Sequence, residues 1–231
     1  MEDYKKRISA RLQAIADRIE AAARAAGRDP GEVRLLAVSK TKPASHVQWA
    51  AEAGQQAFGE NYVQEGVAKA QALADLKLEW HFIGPLQSNK TRPVAAHFAW
   101  VHSIDRLRIA QRLSEQRDAH LPPLNVCIQV NVSGEESKSG VAPAEVPELA
   151  RAVAALPRLC LRGLMAIPEP ISNLVLQRSR FGTLRQLRDQ LNAEGLHLDT
   201  LSMGMSDDLE AAVAEGSTLV RVGTAIFGAR D

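Results

Sequence analysis

The chain has 231 residues, of which 45% are hydrophobic and 24% are charged, and these ordinary globular values argue against disorder. Its formal net charge is +1, and no basic cluster is interleaved with aromatic residues, so nucleic acid is not an expected partner. The start is charged from the second residue, and no apolar run approaches the ~20 residues that span a bilayer. We therefore expect a soluble cytoplasmic protein without a signal peptide or a membrane partner.

The first predicted element is a helix in which Ile8, Leu12, Ile15 and Ile19 recur at helical spacing, and Gly27 is placed to end it. After it, strand-like apolar runs alternate with helical stretches. The predicted strands are 33–39, 56–60, 79–84, 100–104, 124–131, 159–167, 198–204 and 218–224. The predicted helices between them are 43–53, 63–73, 91–98, 105–117, 143–156, 174–193 and 207–214.

Most of these strands are continuous apolar runs, which is typical of a parallel sheet whose outer face is covered by helices. Eight strands separated by helices is the count of a (β/α)8 TIM-type barrel, for which about 250 residues are usual. Only seven residues follow the eighth predicted strand, so we expect the N-terminal helix to complete the outer layer. No linker or repeat interrupts the pattern, and residues 1–231 are predicted to form a single domain.

The cysteines and histidines carry little functional signal. Cys127 and Cys160 both lie within apolar predicted strands, so we expect two buried free thiols and no disulfide. The six histidines are scattered, without a pair at metal-ligand spacing, and no metal is expected.

Lys40 ends the first predicted strand, directly after an apolar run and Ser39. In a barrel of this kind, functional side chains collect at the C-terminal ends of the strands. A solvated lysine at a strand end is the default interpretation. A lysine beside the closing seam of the barrel would instead be partly desolvated, which raises the fraction of uncharged amine that forms Schiff bases with carbonyl compounds.

The segments after strands seven and eight are the strongest candidates for an anion site. SMGMSDDLEAA (202–212) is a turn of small residues that leads directly into a helix, and helix N-termini favour anions. RVGTAIFG (221–228) adds backbone at Gly223 and a hydroxyl at Thr224. Barrel phosphate sites are often built from these two loops.

Two alternatives stay open on spacing alone. Ser206 or Asp207 is equally suited to cap the following helix, and Asp207 and Asp208 would repel a phosphate unless they point away. The spacing also does not choose between pyridoxal phosphate and a phosphorylated sugar aldehyde as the ligand of Lys40.

Eight segments carry a resemblance that decides between these ligands. In chain order they are LLAVSKTKP, FGENYVQE, WHFIGPLQSNK, SIDR, VNVSGEESKSG, RGLMAIP, LSMGMSDD and VRVGTAIFGAR. Together they resemble the pyridoxal-phosphate homeostasis protein family, whose barrel is similar to the N-terminal domain of alanine racemase. The resemblance runs from residue 35 to residue 230.

The resemblance implies a protein that binds pyridoxal 5'-phosphate (PLP), holds it as a Schiff base on Lys40, and buffers or delivers it in intracellular vitamin B6 homeostasis. In its terms, Ser206 and the backbone of Gly223 and Thr224 hold the phosphate, and Arg221 faces the pyridine nitrogen. The whole set of implied cofactor-binding residues is Lys40, Asn61, His81, Met165, Ser206, Arg221, Gly223 and Thr224. Among these, the ring pocket is lined by Asn61, His81 and Met165.

An arginine at the pyridine nitrogen has a chemical consequence. Arg221 keeps its charge, so the nitrogen facing it stays unprotonated and the ring is a poorer electron sink. Alanine racemase overcomes this with a second β domain and a tyrosine from a partner subunit, whereas this chain stops at Asp231 and only Tyr62 lies near the rim. We therefore expect a monomeric carrier that transiently meets PLP-dependent apoenzymes, not an enzyme. A single-domain racemase or related PLP enzyme is the alternative, and a cofactor-free barrel is disfavoured by the motifs.

The loop SGEESKSG contains one further lysine, Lys138. A solvated loop charge is the expected interpretation. An accessory phosphate contact, or a transient acceptor during cofactor transfer, is the alternative.

Overall fold

The structure is a computed structural model that describes residues 2–134 and 139–229. Within this part of the chain, eight parallel strands close into a barrel in chain order, β1 next to β8. The strands are β1 (Arg34–Val38), β2 (Ala57–Glu60), β3 (Glu79–Phe82), β4 (Trp100–Ile104), β5 (Leu124–Gln129), β6 (Leu159–Met165), β7 (Thr200–Ser202) and β8 (Leu219–Val222). The predicted (β/α)8 barrel is confirmed.

Helices surround the barrel and connect the strands. They are α1 (Glu2–Ala25), α2 (Ala44–Glu52), α3 (Val63–Ala72), α4 (Thr91–His97), α5 (Leu107–Gln116), α6 (Val146–Ala154), α7 (Leu174–Ala193), α8 (Leu209–Ala214) and α9 (Thr224–Phe227). The helix α1 lies against α2, α8 and α9, which is the gap it was expected to fill. The one-turn helix α9 was not predicted.

The strands are buried on both faces, as the continuous apolar runs indicated. Their outward residues pack against the helices in one large core, whose members include Ala37, Phe58 and Val220. Inside the barrel, Leu36 and Ile83 belong to a separate apolar cluster. This arrangement leaves the strand ends, not their centres, as the places where polar side chains reach solvent.

The two cysteines differ in burial. Cys127 is fully buried, and burial raises the pKa of its thiol well above the usual range. The prediction that Cys160 is buried was wrong, because this residue is exposed. It is the second residue of β6, and the first residues of that strand are only partly covered. Both thiols are free.

Among the described residues, no helix is long and apolar enough to cross a membrane.

Candidate functional site

A cavity of about 580 Å³ lies at the C-terminal mouth of the barrel, within the ~300–1,000 Å³ usual for ligand pockets. It is lined by Val38, Lys40, Asn61, Ile83, Ile167, Met205, Ser206, Asp207, Arg221, Gly223, Thr224 and Ala225. Six of the eight predicted site residues are in this set. The structure therefore brings the ends of β1, β2 and β8 and the loop after β7 around one volume.

His81 and Met165, the two other predicted site residues, lie deeper than the lining of this cavity. Neither is among the described residues that line the cavity, and both are fully buried. Each lies two residues before a lining residue, Ile83 and Ile167 respectively. Since alternate residues of a strand share a face, His81 and Met165 are one layer deeper in the barrel interior. A count of alternate residues from each predicted strand end would have selected the two isoleucines.

Arg221 of β8 is the buried cation of the cavity, with 4% of its surface exposed. Its Nη1 donates to the Ser202 carbonyl oxygen (2.5 Å) and to the Ser202 Oγ (2.7 Å), and its Nη2 donates to the Ala166 carbonyl (2.8 Å). Burial lowers the pKa of Arg221 to about 10, so the guanidinium still carries its charge at neutral pH. These hydrogen bonds fix the orientation of the guanidinium, and none of its hydrogen-bond partners among the described residues is a carboxylate.

A line of polar side chains continues from Ser202 down the centre of the barrel. The Ser202 Oγ lies 2.8 Å from His102 Nδ1, and His102 Nε2 lies 2.9 Å from His81 Nδ1. His81 Nε2 in turn lies 2.8 Å from Glu79 Oε1, which also accepts from Arg34 Nη2 (2.6 Å). We call these five residues together with Arg221 the polar chain. It connects the pocket arginine to the N-terminal end of the barrel.

The two ends of the polar chain determine the direction of its hydrogen bonds. Arg221 can only donate and an ionised Glu79 can only accept, and Glu79 is ionised because its hydrogen bond from His81 lowers its pKa to about 2. The Ser202 hydroxyl therefore accepts from Arg221 and donates to His102. Each histidine then donates through Nε2 and accepts through Nδ1. Desolvation lowers the pKa of both His81 and His102, which agrees with two neutral rings.

The two loops expected to hold a phosphate are joined at their start by a backbone hydrogen bond, which the Arg221 N–H donates to the Gly204 carbonyl (2.9 Å). Gly204 has a φ of 94°, and a Cβ there would lie 2.5 Å from the Ala212 Cβ. A Cβ on Gly223 would lie 3.0 Å from the Val38 carbonyl oxygen. The glycines thus allow the β7 loop to pack against α8 and the β8 end to pack against β1, beside Ser206 and Thr224, which line the cavity and form a cradle suited to a small anion.

The two aspartates of this region have different positions. Asp208 accepts from the Met205 N–H through Oδ1 (2.6 Å), so this carboxylate closes its own turn. Asp207 is exposed and lines the cavity. The helix α8 begins at Leu209, two residues later than the predicted start, because residues 206–208 form this turn.

Asn61 contributes an unused acceptor. Its Oδ1 is buried and has no hydrogen-bond partner among the described residues, a state that is rare unless a ligand or water completes it. The next residue, Tyr62, is 53% exposed and lines a neighbouring cavity. The lining thus offers a primary amine, a buried guanidinium, hydroxyl donors and one free acceptor. This donor set fits a phosphorylated aromatic aldehyde that carries a hydroxyl group.

Lys138 lies outside the described residues, as do Ser137 and the C-terminal Arg230 and Asp231.

Comparisons with known proteins agree on one family. The family model described as alanine racemase, N-terminal domain, matches residues 10–231. A Pseudomonas aeruginosa protein named pyridoxal phosphate homeostasis protein is 66% identical over 224 residues, which cover 97% of this chain and 96% of that protein. An Escherichia coli protein of the same name is 61% identical over 230 residues, covering 97% of each. Among solved structures, PipY from Synechococcus elongatus with PLP bound is 37% identical, with a TM-score of 0.83, over 96% of this chain and all of that one (100%).

Proposed function

The chain belongs to the pyridoxal phosphate homeostasis protein family, and from this premise we propose that it binds PLP at the C-terminal mouth of its barrel and buffers or delivers it. The bond to the cofactor is a Schiff base on Lys40. The observation that carries the proposal is the single cavity shared by Lys40, the Arg221 guanidinium and the glycine-closed cradle of the β7 and β8 loops.

Each side chain has a distinct task in this proposal. Bound PLP supplies an aldehyde carbon that reacts reversibly with a primary amine, and Lys40 supplies that amine. Ser206, Gly223 and Thr224 bind the phosphate group. The free Oδ1 of Asn61 accepts a hydrogen bond from the ring hydroxyl.

Arg221 supports a carrier rather than a catalyst. With a pKa of about 10, the guanidinium keeps its protons and cannot hand one to a pyridine nitrogen beside it. A ring left neutral in this way stabilises a carbanion poorly, which is the step that amino-acid chemistry needs. The protein is therefore proposed to act in the cytoplasm as a non-enzymatic monomer, bound to no membrane or nucleic acid, and to pass its cofactor to PLP-dependent apoenzymes.

The absorption spectrum of the purified protein tests the binding. We expect PLP to give a Schiff-base band that disappears in Lys40→Ala. A band that persists in Lys40→Ala would place the attachment elsewhere, and no band in either protein would remove the cofactor assignment.

A second experiment separates the carrier from the enzyme alternative. The loaded protein is mixed with a panel of amino acids in heavy water, and α-proton exchange is followed, while a parallel sample is mixed with an apoenzyme whose activity reports PLP arrival. We expect transfer to the apoenzyme without fast exchange. Fast exchange with turnover would support the single-domain racemase instead.

A further inference from the structure

The turn that carries Lys40 has a backbone conformation that its sequence does not favour. The Lys42 N–H donates to the Ser39 carbonyl (3.1 Å), which closes a four-residue turn after β1. The third residue of this turn is Thr41, with a φ of 63°. Turns with a positive φ at that position favour glycine, and a β-branched residue there is a genuine outlier. The turn therefore needs support from outside itself.

A buried ion cluster lies directly behind the turn, between β1, β2 and α3. Lys69 of α3 is 5% exposed, and its Nζ donates to Glu60 Oε1 (2.7 Å) and to Glu65 Oε1 (2.6 Å). Glu60 is fully buried and accepts from the Ser39 hydroxyl (2.6 Å). We call Glu60, Glu65 and Lys69 the clamp.

The clamp holds the backbone on both sides of Lys40. On the near side, the Lys69 Nζ donates to the Ser39 carbonyl oxygen (2.7 Å). On the far side, Glu65 Oε1 accepts from the Thr41 N–H (2.6 Å). One ammonium thus uses its three donors to orient both carboxylates and one backbone group. The position of Lys40 between these two anchors is coupled to the position of Lys69.

Stability alone explains the clamp poorly. Apolar residues of similar volume often replace a buried ion cluster with no loss of stability, because desolvation offsets the attraction between the charges. Here the Glu60 Oε2 is also buried without a hydrogen-bond partner among the described residues, which adds to the free-energy cost of desolvation. The clamp contributes little to stability, yet it is hydrogen-bonded to Ser39 and Thr41, the two residues that flank Lys40. The backbone geometry that it imposes on this turn explains it better.

We propose that the clamp is the positioning device for Lys40: it holds Thr41 in the left-handed region and thereby directs the Lys40 side chain into the cavity. This inference rests on the proposed attachment of PLP to Lys40. It adds Glu65 and Lys69, which are not among the lining residues described, to the side chains that determine PLP affinity.

Glu65 gives the cleanest variant, because its side chain is 26% exposed and its loss is tolerable for folding. Glu65→Met removes the acceptor of the Thr41 N–H. We expect the dissociation constant for PLP to rise about tenfold, because a tenfold change corresponds to the lower part of the free-energy cost of holding a residue in a strained backbone conformation. Glu65→Gln keeps an acceptor oxygen and should show a smaller rise. Lys69→Met removes the donor to the Ser39 carbonyl and the group that orients Glu65, and it should show a larger rise in the dissociation constant.

A rescue distinguishes positioning from general damage. Thr41→Gly adopts the left-handed conformation without strain, so Thr41→Gly combined with Glu65→Met should return the dissociation constant to within about twofold of wild type. Arg117→Met is the matched control: Arg117 is also 5% exposed and donates to the Ala95, Phe98 and Pro122 carbonyls. It should lower the melting temperature yet leave the PLP dissociation constant unchanged.

A measurement on the cofactor-free protein completes the test. Hydrogen exchange of the Thr41 amide should be faster in Glu65→Met than in wild type, with other amides of β1 unchanged. The positioning role is overturned if both Glu65→Met and Lys69→Met bind PLP as wild type does, if Arg117→Met weakens binding equally, or if Thr41→Gly fails to rescue. A wild-type protein without a Lys40-dependent band would defeat the proposed function itself, so the two failures are distinguishable.

Discussion

The two mouths of the barrel contain cavities of similar volume, about 580 Å³ at the C-terminal end and 460 Å³ at the N-terminal end. Four arginines line the N-terminal cavity, and each contacts a carboxylate. At the C-terminal mouth, Arg221 donates only to neutral oxygens of the described residues, and the Asn61 Oδ1 accepts from none of them.

The comparison teaches that the size of a cavity does not identify a binding site. At the N-terminal mouth the charges neutralise one another, and the Trp100 indole nitrogen is the one lining group there that is buried without a partner in the described structure. At the C-terminal mouth, Arg221 is held in place without a carboxylate partner, and the Asn61 Oδ1 is buried without a donor, among the described residues. Preorganised groups of this kind bind a ligand without first breaking an ion pair.

The strongest test of this contrast removes the cation from the C-terminal mouth. Arg221→Met removes the donor from the Ser202 hydroxyl and the Ala166 carbonyl and one of two donors from the Ser202 carbonyl, which keeps the Ala166 N–H. In the proposed complex Arg221 faces the pyridine nitrogen, and truncating one partner of a buried, charged hydrogen bond between protein and ligand costs about 2–5 kcal/mol, so PLP affinity should fall by about thirtyfold or more. Titration with PLP, followed by its absorbance, measures the change. An affinity within threefold of wild type at a temperature where the variant is folded would mean that the Arg221 charge has no part in binding.

A smaller effect is expected from breaking the polar chain below the arginine. Ser202→Ala removes the hydroxyl that lies between Arg221 and His102 and leaves the His102 Nδ1 without a donor. The expected loss in the free energy of unfolding is about 1–3 kcal/mol, with a weaker effect on PLP affinity than in Arg221→Met because the guanidinium stays. Urea denaturation and PLP titration measure the two effects. Ser217→Ala, another buried serine that bonds to backbone carbonyls, is the control for stability loss alone.

The two histidines of the polar chain, His81 and His102, make the free energy of unfolding depend on pH. Desolvation is the largest cause that lowers the pKa of His81 and of His102 in the folded protein, whereas an unfolded histidine titrates near 6.5. Their contribution is fully present above about pH 6.5, and it is lost as the pH falls towards the folded pKa values, because only the unfolded chain binds the protons. The slope is up to about 1.4 kcal/mol per pH unit for each histidine.

Comparison of wild type with His102→Phe isolates this effect from the carboxylates that also titrate. The difference in unfolding free energy between the two proteins should change between pH 7 and pH 5, with wild type losing more stability on acidification. Urea denaturation at several pH values provides the measurement. Parallel pH profiles for the two proteins would show that His102 is not held neutral.

The strand count and order could be predicted from sequence because a continuous apolar run reports burial on both faces. The same property hides which alternate residues face the interior, and for this reason the sequence does not separate the layer of His81 and Met165 from that of Ile83 and Ile167. The bulges between β4 and β5 and between β5 and β6 shift register in ways that a run of apolar letters does not record.

Interactions between distant positions were outside the reach of sequence patterns. The polar chain depends on side chains from several strands reaching the same height, and His102 and Ser202 are 100 residues apart. The clamp depends on the rotational phase of α3, which brings Lys69 under the end of β1. The sequence pattern therefore predicted which residues lie at the strand ends. The buried charges that contact them, in the clamp and the polar chain, depend on tertiary packing.

The smallest effect is expected at the N-terminal mouth. Asp199→Asn weakens the ion pair with Arg162, whose guanidinium also lies over the Trp100 ring. The two side chains of this pair are 33% and 56% exposed, so the expected loss of stability is within about 1 kcal/mol. PLP affinity should stay within about twofold of wild type, because Asp199 lines the N-terminal cavity and the proposed PLP site is at the C-terminal mouth. A larger loss of affinity in Asp199→Asn than in Ser202→Ala would reverse the comparison, and it would mean that the N-terminal cavity controls the cofactor site through the polar chain.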